Sequence, residues 1–320
     1  MVKIGFDLMG GDFAPTETTK AINEWLSKKD DTSLTLVVYG TQEALSQIPD
    51  DANIEKVITT QVIEMGDSPT KAIQTKPDSA IVKGITDLAQ GVTDAFVSAG
   101  NTGAVYVAGV QIVGRIEGVQ RPALISYLPR WDKHPGILID VGANADVRPE
   151  HLLEFARLGS VYVNVILDVE NPKVGLLNIG EEEGKGNQLV QGAYKLLKQA
   201  EDINFVGNIE GRYLFSDKAD VVVCSGFVGN VLLKSLESLV ETLIKECPES
   251  GKLNQFLWSE YGGVPILGIK APIIIGHGIS KAPVFLQMIE AARLEVERDL
   301  VGKLTKAFKN VLNSANGGEG

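Results

Sequence analysis

Six small or polar residues, Ser98-Ala99-Gly100-Asn101-Thr102-Gly103, join the apolar run Ala95-Phe96-Val97, which follows Asp94, to the largely apolar stretch Ala104–Val113. A strand that passes into a helix through such residues leaves bare backbone N–H groups at the helix start. Those donors, with the positive end of the helix dipole, suit an anion. Gly100 and Gly103 would let the anion approach the backbone, and Asn101 and Thr102 would add side-chain donors. Taken alone, such a turn is an ordinary capped helix. The chain, however, repeats the pattern. Gly226-Phe227-Val228-Gly229-Asn230 opens a second helix, preceded by Ser225. Lys185 and Lys234 bring positive charge near such turns, although each also reads as a solvated lysine. His277, at the end of Ile273-Ile274-Ile275-Gly276, suits a proton donor to a leaving group or an anion ligand, and equally a hydrogen-bonded structural histidine. Asp7, Asp12, Asp140 and Asn144 also stand at strand ends. An ionised aspartate beside an anion repels it, so these carboxylates are expected to orient lysines and cap helices.

The positioning elements follow from pattern. Val2–Leu8 and Leu34–Gly40 read as strands, with Pro15 opening a helix after the first and a short helix from Gln42 after the second. A third strand falls within 54–63. Residues 67–79 read as a loop or broken helix, because Pro77 cannot lie inside an intact one. A helix to about Gln90 delivers the strand at 94–98. Strands are expected near 122–128 and 136–141, then a long helix from Pro149 to about 167. The strand Val174–Gly180, a helix over 187–200, the strand 203–211 and the apolar run Val221–Cys224 come next. A helix from 230 repeats leucine at 232, 236, 239 and 243, one apolar stripe that reads as core or subunit interface before lipid contact. Strands at 265–269 and 272–276 precede a final helix over 281–312. Such alternation predicts an α/β fold, three-layer α/β/α with a mainly parallel sheet, whose ligands collect outside the carboxyl ends of the strands. Residues 1–312 are expected to form a single large domain or two intimately joined lobes, and 313–320 a flexible tail.

Composition narrows the chemistry. A net charge of -11 argues against a nucleic-acid partner. The two cysteines, Cys224 and Cys247, fit a reduced cytoplasmic protein without a disulfide framework. Cys224 lies in an apolar run and reads as a core residue. His134, His151 and His277 are too few for a histidine-rich metal site, with His134 expected on the surface and His151 on a helix. No stretch of 18 apolar residues and no signal-peptide layout is present. Gly-x-Gly-x-x-Gly after the first strand, a Walker A loop, His-Glu-x-x-His and Gly-x-Ser-x-Gly are all missing. Neither a metal nor a cofactor is expected.

One family carries the whole set. Asp7-x-Met9-Gly10-Gly11-Asp12-x-Ala14-Pro15, Ser98-Ala-Gly100-Asn101-Thr102-Gly103, Arg121-Pro122-Ala123 with Leu128-Pro129, and Asp140-Val-Gly142-Ala143-Asn144 occur in order. Gly175-Leu-Leu-Asn178-x-Gly180-Glu-Glu-x-x-Lys185-Gly186, Gly207-Asn208-x-Glu210, Gly226-Phe-Val-Gly229-Asn230-Val-x-Leu-Lys234 and His277-Gly278 follow. Together they resemble the acyl-carrier-protein:phosphate acyltransferases of bacterial phospholipid synthesis. The resemblance implies an isocitrate/isopropylmalate-dehydrogenase-like fold and a homodimer. It also implies a reaction in which an acyl-carrier-protein thioester and inorganic phosphate give acyl phosphate and free carrier protein. Phosphate is itself nucleophilic, so an anion seat, oxyanion donors and restricted water suffice. On this reading His277, Lys185, Lys234 and Asn101 are catalytic. Ser98, Gly100, Asn101, Thr102, Gly103, Asp7, Gly10, Gly11, Asp12, Asp140, Gly142, Asn144, Asn178, Asn208, Glu210, Ser225, Gly226, Gly229 and Asn230 surround the substrates.

The chain departs from the family pattern at Ser225 and Tyr213, where aspartates are expected, and at Pro77, where a lysine is expected. Its stretch between Lys234 and Gly262 is also shorter. In the family that stretch forms a hairpin tied to dimer packing and, in some members, to weak peripheral membrane contact. Here Leu253, Phe256, Leu257 and Trp258 remain to make such contact. Two other functions stay open: a phosphate acyltransferase that uses acyl-coenzyme A, of acetyl or butyryl type, and a diverged protein that binds carrier protein or acyl phosphate without turnover. Arg293, Arg298, Lys303, Lys306 and Lys309, all on the expected last helix, are a candidate docking patch for the acidic carrier protein.

Overall fold

The computed structural model describes residues 1–28, 33–130, 134–246, 256 and 262–316, the last three without their side chains. Cys247, Leu253, Leu257 and Trp258 lie outside the described residues, as does the end of the tail. The chain divides into two compact units, Met1–Arg115 with Ser259–Val301 and Ile116–Trp258 with Gly302–Gly320.

Unit 1 contains β1 (Val2–Asp7), α1 (Thr16–Lys28), β2 (Leu34–Gly40), α2 (Gln42–Leu45), β3 (Ile54–Ile58), α3 (Pro69–Thr75), α4 (Ala80–Ala89), β4 (Ala95–Ser98) and α5 (Thr102–Ala108). The last widens into a π turn over Gly109–Val113 and stops at Gly114, whose φ is 85°. β10 (Val264–Leu267), β11 (Ile273–Ile275) and α9 (Ala282–Glu297) complete the unit. Its strands run in the order β3-β2-β1-β4-β11-β10, parallel except for the β10–β11 pair. Phe6 of β1 packs against Phe285 of α9. The neighbouring Gly5 leaves room for Phe96 and Tyr39, and the Phe96 ring lies against Gly84 of α4. Successive strand residues face opposite ways. Helices α9 and α4 therefore cover opposite faces, which gives the three layers expected.

Unit 2 contains β5 (Ala123–Leu128), β6 (Gly136–Ile139), α6 (Pro149–Ile166), β7 (Lys173–Asn178), α7 (Gln188–Gln199), β8 (Asn204–Glu210), β9 (Val221–Val223), α8 (Gly226–Glu246) and nearly all of α10 (Leu300–Asn316). The strand order is β5-β6-β9-β7-β8, parallel except for β5–β6. Gly159 lets α6 lie directly on Val221 and Ile137.

Three expectations need correction. Residues 281–312 are not one helix: Asp299 takes a φ of 51°, and Arg298 caps α9 before α10 begins. The proposed docking cations therefore sit on two helices, and Arg293 is already paired with Glu290 and Glu297. Helix α8 starts at Gly226, not 230, because Ser225 accepts the Val228 N–H and caps it. Finally, the leucine stripe of α8 is not core. Leu239 and Leu243 are 54% and 40% exposed, and the helix buries only Gly226 and Gly229. No helix among the described residues is long and apolar enough to cross a membrane.

Candidate active site

In unit 1, β1 and β4 lie side by side and deliver Asp7 and Ser98 to the same end of the sheet. The Ser98 hydroxyl donates to Asp7 Oδ2 at 2.6 Å, and the Met9 N–H donates to Oδ1 at 3.0 Å. Gly10 contributes a further backbone hydrogen bond to the carboxylate. Asp7 is buried, and that burial outweighs the three donors and raises its pKa to about 6. A side chain on Gly10 would lie 2.5 Å from this carboxylate and 2.7 Å from the Gly100 nitrogen, so the turn closes only around glycine. Gly11 has a φ of 113°, a conformation that favours glycine. The Asp12 N–H then donates to the Gly278 carbonyl at 2.7 Å, which ties the β1 turn to the His277–Gly278 turn.

The Ser98–Gly103 turn begins α5. Gly100 N–H goes to Ser98 Oγ at 3.0 Å and Ala104 N–H to Asn101 Oδ1 at 3.0 Å. Among the described residues the amides of Thr102 and Gly103 are left without an acceptor. Asn101 is not the free donor its type suggests. Its amide nitrogen faces the carbonyls of Glu64, Met65 and Asp67 at 3.2, 3.0 and 2.9 Å, so it both caps α5 and clasps the preceding loop. Gly103 also answers to packing: a side chain there would meet the Pro69 ring at 2.5 Å. His277 is half-buried, and Ile279 N–H points at its Nδ1 from 3.4 Å.

Unit 2 builds a similar turn with less slack. Asp140, at the end of β6, is fully buried. Its Oδ1 accepts the N–H groups of Leu124, Gly142 and Ala143, and its Oδ2 accepts both the backbone and side-chain N–H of Asn144. Burial still pushes its pKa upward. Asn144 also reaches the Pro122 carbonyl at 2.8 Å, and Asn230 reaches the Val141 carbonyl at 3.1 Å. Gly142, with a φ of 137°, would press any side chain against Asn230. The start of α8 is locked onto this turn, since Gly226 N–H goes to the Asn144 carbonyl and Val228 N–H to Ser225. A side chain on Gly229 would overlap the Asp140 carbonyl. The glycines of this second anion seat thus serve backbone packing, and most of its amides are engaged.

The remaining candidates surround the β7 and β8 ends. Asn178 donates to the Lys185 carbonyl, and Asn208 to the carbonyls of Glu181 and Glu182. The Asn208 Oδ1 is buried and unpartnered. Lys185 is exposed, Lys234 pairs with Glu237 at 2.7 Å, and Glu210 pairs with Arg212. At the departures, Ser225 is the α8 cap, the Lys218 ammonium lies 3.2 Å from the Tyr213 ring centre, and Pro77 follows Lys76, which pairs with Asp67. Burial pushes the Cys224 thiol far up, which suits a core residue. His151 is buried, its Nδ1 accepting Arg148 N–H, whereas His134 is exposed.

Sequence reasoning missed Glu154, whose buried carboxylate accepts the N–H groups of Gln120 and Arg121 and so sets the Arg121-Pro122 turn. Its place on the apolar face of α6 was the available signal. The Glu64–Asp67 clasp carried none, because carbonyl acceptors have no residue signature. Among the described residues no group of three His, Cys, Asp or Glu could hold a metal ion.

The family model described as fatty acid synthesis protein matches residues 2–303. A phosphate acyltransferase of Dictyoglomus turgidum is 41% identical, over 95% of this chain and 98% of its own. A phosphotransacetylase from Staphylococcus aureus shares the fold, with a TM-score of 0.61 over 92% of this chain and 94% of its own at 17% identity. So does 4-hydroxythreonine-4-phosphate dehydrogenase from Klebsiella pneumoniae, with a TM-score of 0.55 at 15% identity, covering 92% of this chain and all (100%) of its own.

Proposed function

We infer the reaction from one premise: this chain belongs to the phosphate acyltransferase family of fatty acid synthesis proteins. The reading it supports is transfer of a fatty acyl group from acyl-carrier-protein thioester to inorganic phosphate. The observation that carries the chemistry is the pair of unengaged amides at Thr102 and Gly103, beside an aspartate whose oxygens are turned inward onto Ser98, Met9 and Gly10. Unengaged N–H donors at a helix start favour a phosphate over a cation.

A phosphate oxygen attacks the thioester carbonyl, the C–O bond to phosphate forms and the C–S bond breaks. His277 takes the proton that hydrogen phosphate gives up and, as the imidazolium, hands it to the leaving sulfur. No covalent enzyme intermediate is needed. Asn101 acts as a positioning residue, because its amide is occupied by the 64–67 loop. Lys185 and Lys234 are the proposed sources of positive charge, as their places in the family motifs imply. The exposed leucines of α8 support a homodimer, read by sedimentation.

The test is phosphate-dependent release of free thiol by the purified chain, with acyl-carrier protein and acyl-coenzyme A compared side by side. Faster release from the carrier-protein thioester is expected. Release only from acyl-coenzyme A would replace the donor, and no phosphate-dependent release from either would overturn the reaction.

A further inference from the structure

Lys185 stands in the exposed turn Glu181-Glu182-Glu183-Gly184-Lys185-Gly186 of unit 2, behind three successive glutamates. A surface turn of that composition is expected to be loose, with its lysine drawn to a neighbouring carboxylate. Neither holds here. The carbonyls of Gly184, Lys185 and Gly186 all accept from side chains outside the turn. Gln191, in the first turn of α7, donates from Nε2 to the Gly184 carbonyl at 2.9 Å and to the Gly186 carbonyl at 3.0 Å. Asn178, at the end of β7, donates to the Lys185 carbonyl between them at 3.1 Å. The Lys185 N–H is itself bonded to the Glu182 carbonyl at 3.1 Å. Both backbone groups of Lys185 are therefore engaged, and so are the carbonyls on either side of it.

The glutamates are engaged as well. Glu183 pairs with Lys198 at 2.8 Å, and Glu181 pairs with Lys218. Among the described residues no carboxylate pairs with the Lys185 ammonium. The turn thus holds its lysine by the backbone and leaves the charged end unspent. Gln191 suits this task by type, because the two hydrogens of its NH2 group match two carbonyls.

We propose that Gln191 is a positioning residue for Lys185: by bridging the carbonyls on either side, it fixes the backbone from which that lysine meets phosphate. The role rests on the reaction proposed above, in which Lys185 supplies positive charge. Gln191 does not touch substrate. It acts through the turn.

The experiment compares the full wild-type chain with Gln191→Met, which keeps the length and helix preference of the side chain and removes its donors. The Michaelis constant for phosphate should rise about fivefold or more with a smaller change in kcat, since two neutral hydrogen bonds are lost. The melting temperature should stay within about 2 °C, because the site is at the surface. A second measurement needs no turnover. At constant ionic strength, inorganic phosphate should slow acetylation of the Lys185 ammonium by a succinimidyl ester, read by mass spectrometry. Half-protection should need about fivefold more phosphate in the variant. A variant with an unchanged phosphate constant and unchanged protection overturns the proposal. So does a variant that loses kcat and melting temperature while its phosphate constant stays put, which marks a merely structural glutamine. A wild-type chain whose Lys185 gains no protection from phosphate overturns it too. Protection that shifts in the variant, in a chain that releases no thiol, would sink the reaction and leave the positioning role standing.

Discussion

Units 1 and 2 each end a strand in a buried aspartate, yet Asp7 accepts from two backbone amides and one hydroxyl while Asp140 accepts five N–H groups. The difference extends to the helix that follows. The start of α5 keeps the amides of Thr102 and Gly103 unengaged, whereas Gly226 and Val228 at the start of α8 are already bonded. Two turns that look alike as residue strings thus differ in spare donor capacity. The saturated turn is a structural knot, and the turn with donors to spare can receive a ligand.

The comparison breaks first at the glycines. Gly229→Ala forces a methyl group into the Asp140 carbonyl and should cost about 3–5 kcal/mol, read as a collapse of the thermal transition. Gly100→Ala meets Ile81 Cδ1 and Ser98 Oγ at 3.1 Å and Asp7 Oδ2 at 3.3 Å, tight but not overlapping, and should cost about 1 kcal/mol. Equal losses would erase the distinction between the two turns.

Asp140→Asn comes next. Whichever way the amide turns, its NH2 faces two or more buried N–H groups, and a loss of about 2–4 kcal/mol in denaturant melts is expected.

Asp7→Asn should instead be mild at pH 4, within about 1 kcal/mol of wild type, because the native carboxyl is then protonated. The pH dependence has a definite sign. Unfolded Asp7 ionises near 3.8 and folded Asp7 near 6, so wild type loses about 2–3 kcal/mol as pH rises through that window, and none beyond it. The asparagine variant lacks this loss, so its stability relative to wild type should climb between pH 4 and 6 and then level. A flat difference would mean that Asp7 is not buried as described.

The smallest structural effect belongs to Lys234→Ala. The side chain is 51% exposed, and its pairing with Glu237 is worth less than about 1 kcal/mol. The melting temperature should scarcely move while the Michaelis constant for phosphate rises. A large loss of stability with unchanged phosphate kinetics would reverse its proposed role.

Much of this organisation is legible in the residues. The short helix expected from Gln42 is α2, and the Thr41 side-chain oxygen accepts the Ala44 N–H at its start. Pro149 begins α6, and the apolar run at 34–40 is β2 with every residue buried. The break at Asp299 was invisible because aspartate is an ordinary helix residue until its neighbours require a φ of 51°. Asn101 was legible as a cap and as a donor, but not as a clasp, because Glu64–Asp67 reaches it only through the fold. Gly103 and Gly229 read as room for an anion, and their neighbours turned out to be Pro69 and the Asp140 carbonyl.

The residue string by itself determined the alternating elements, the aspartate, serine and asparagine at their ends, and the family. These depend on local propensity and on ordered motifs, both of which are written along the chain. Only the tertiary structure decided which donors remain open, which glycines answer to packing and which carboxylate is saturated. Hydrogen-bond capacity is limited, and whether a given N–H is already taken depends on groups such as Glu64, Leu124 and Gly278 that lie far away in sequence.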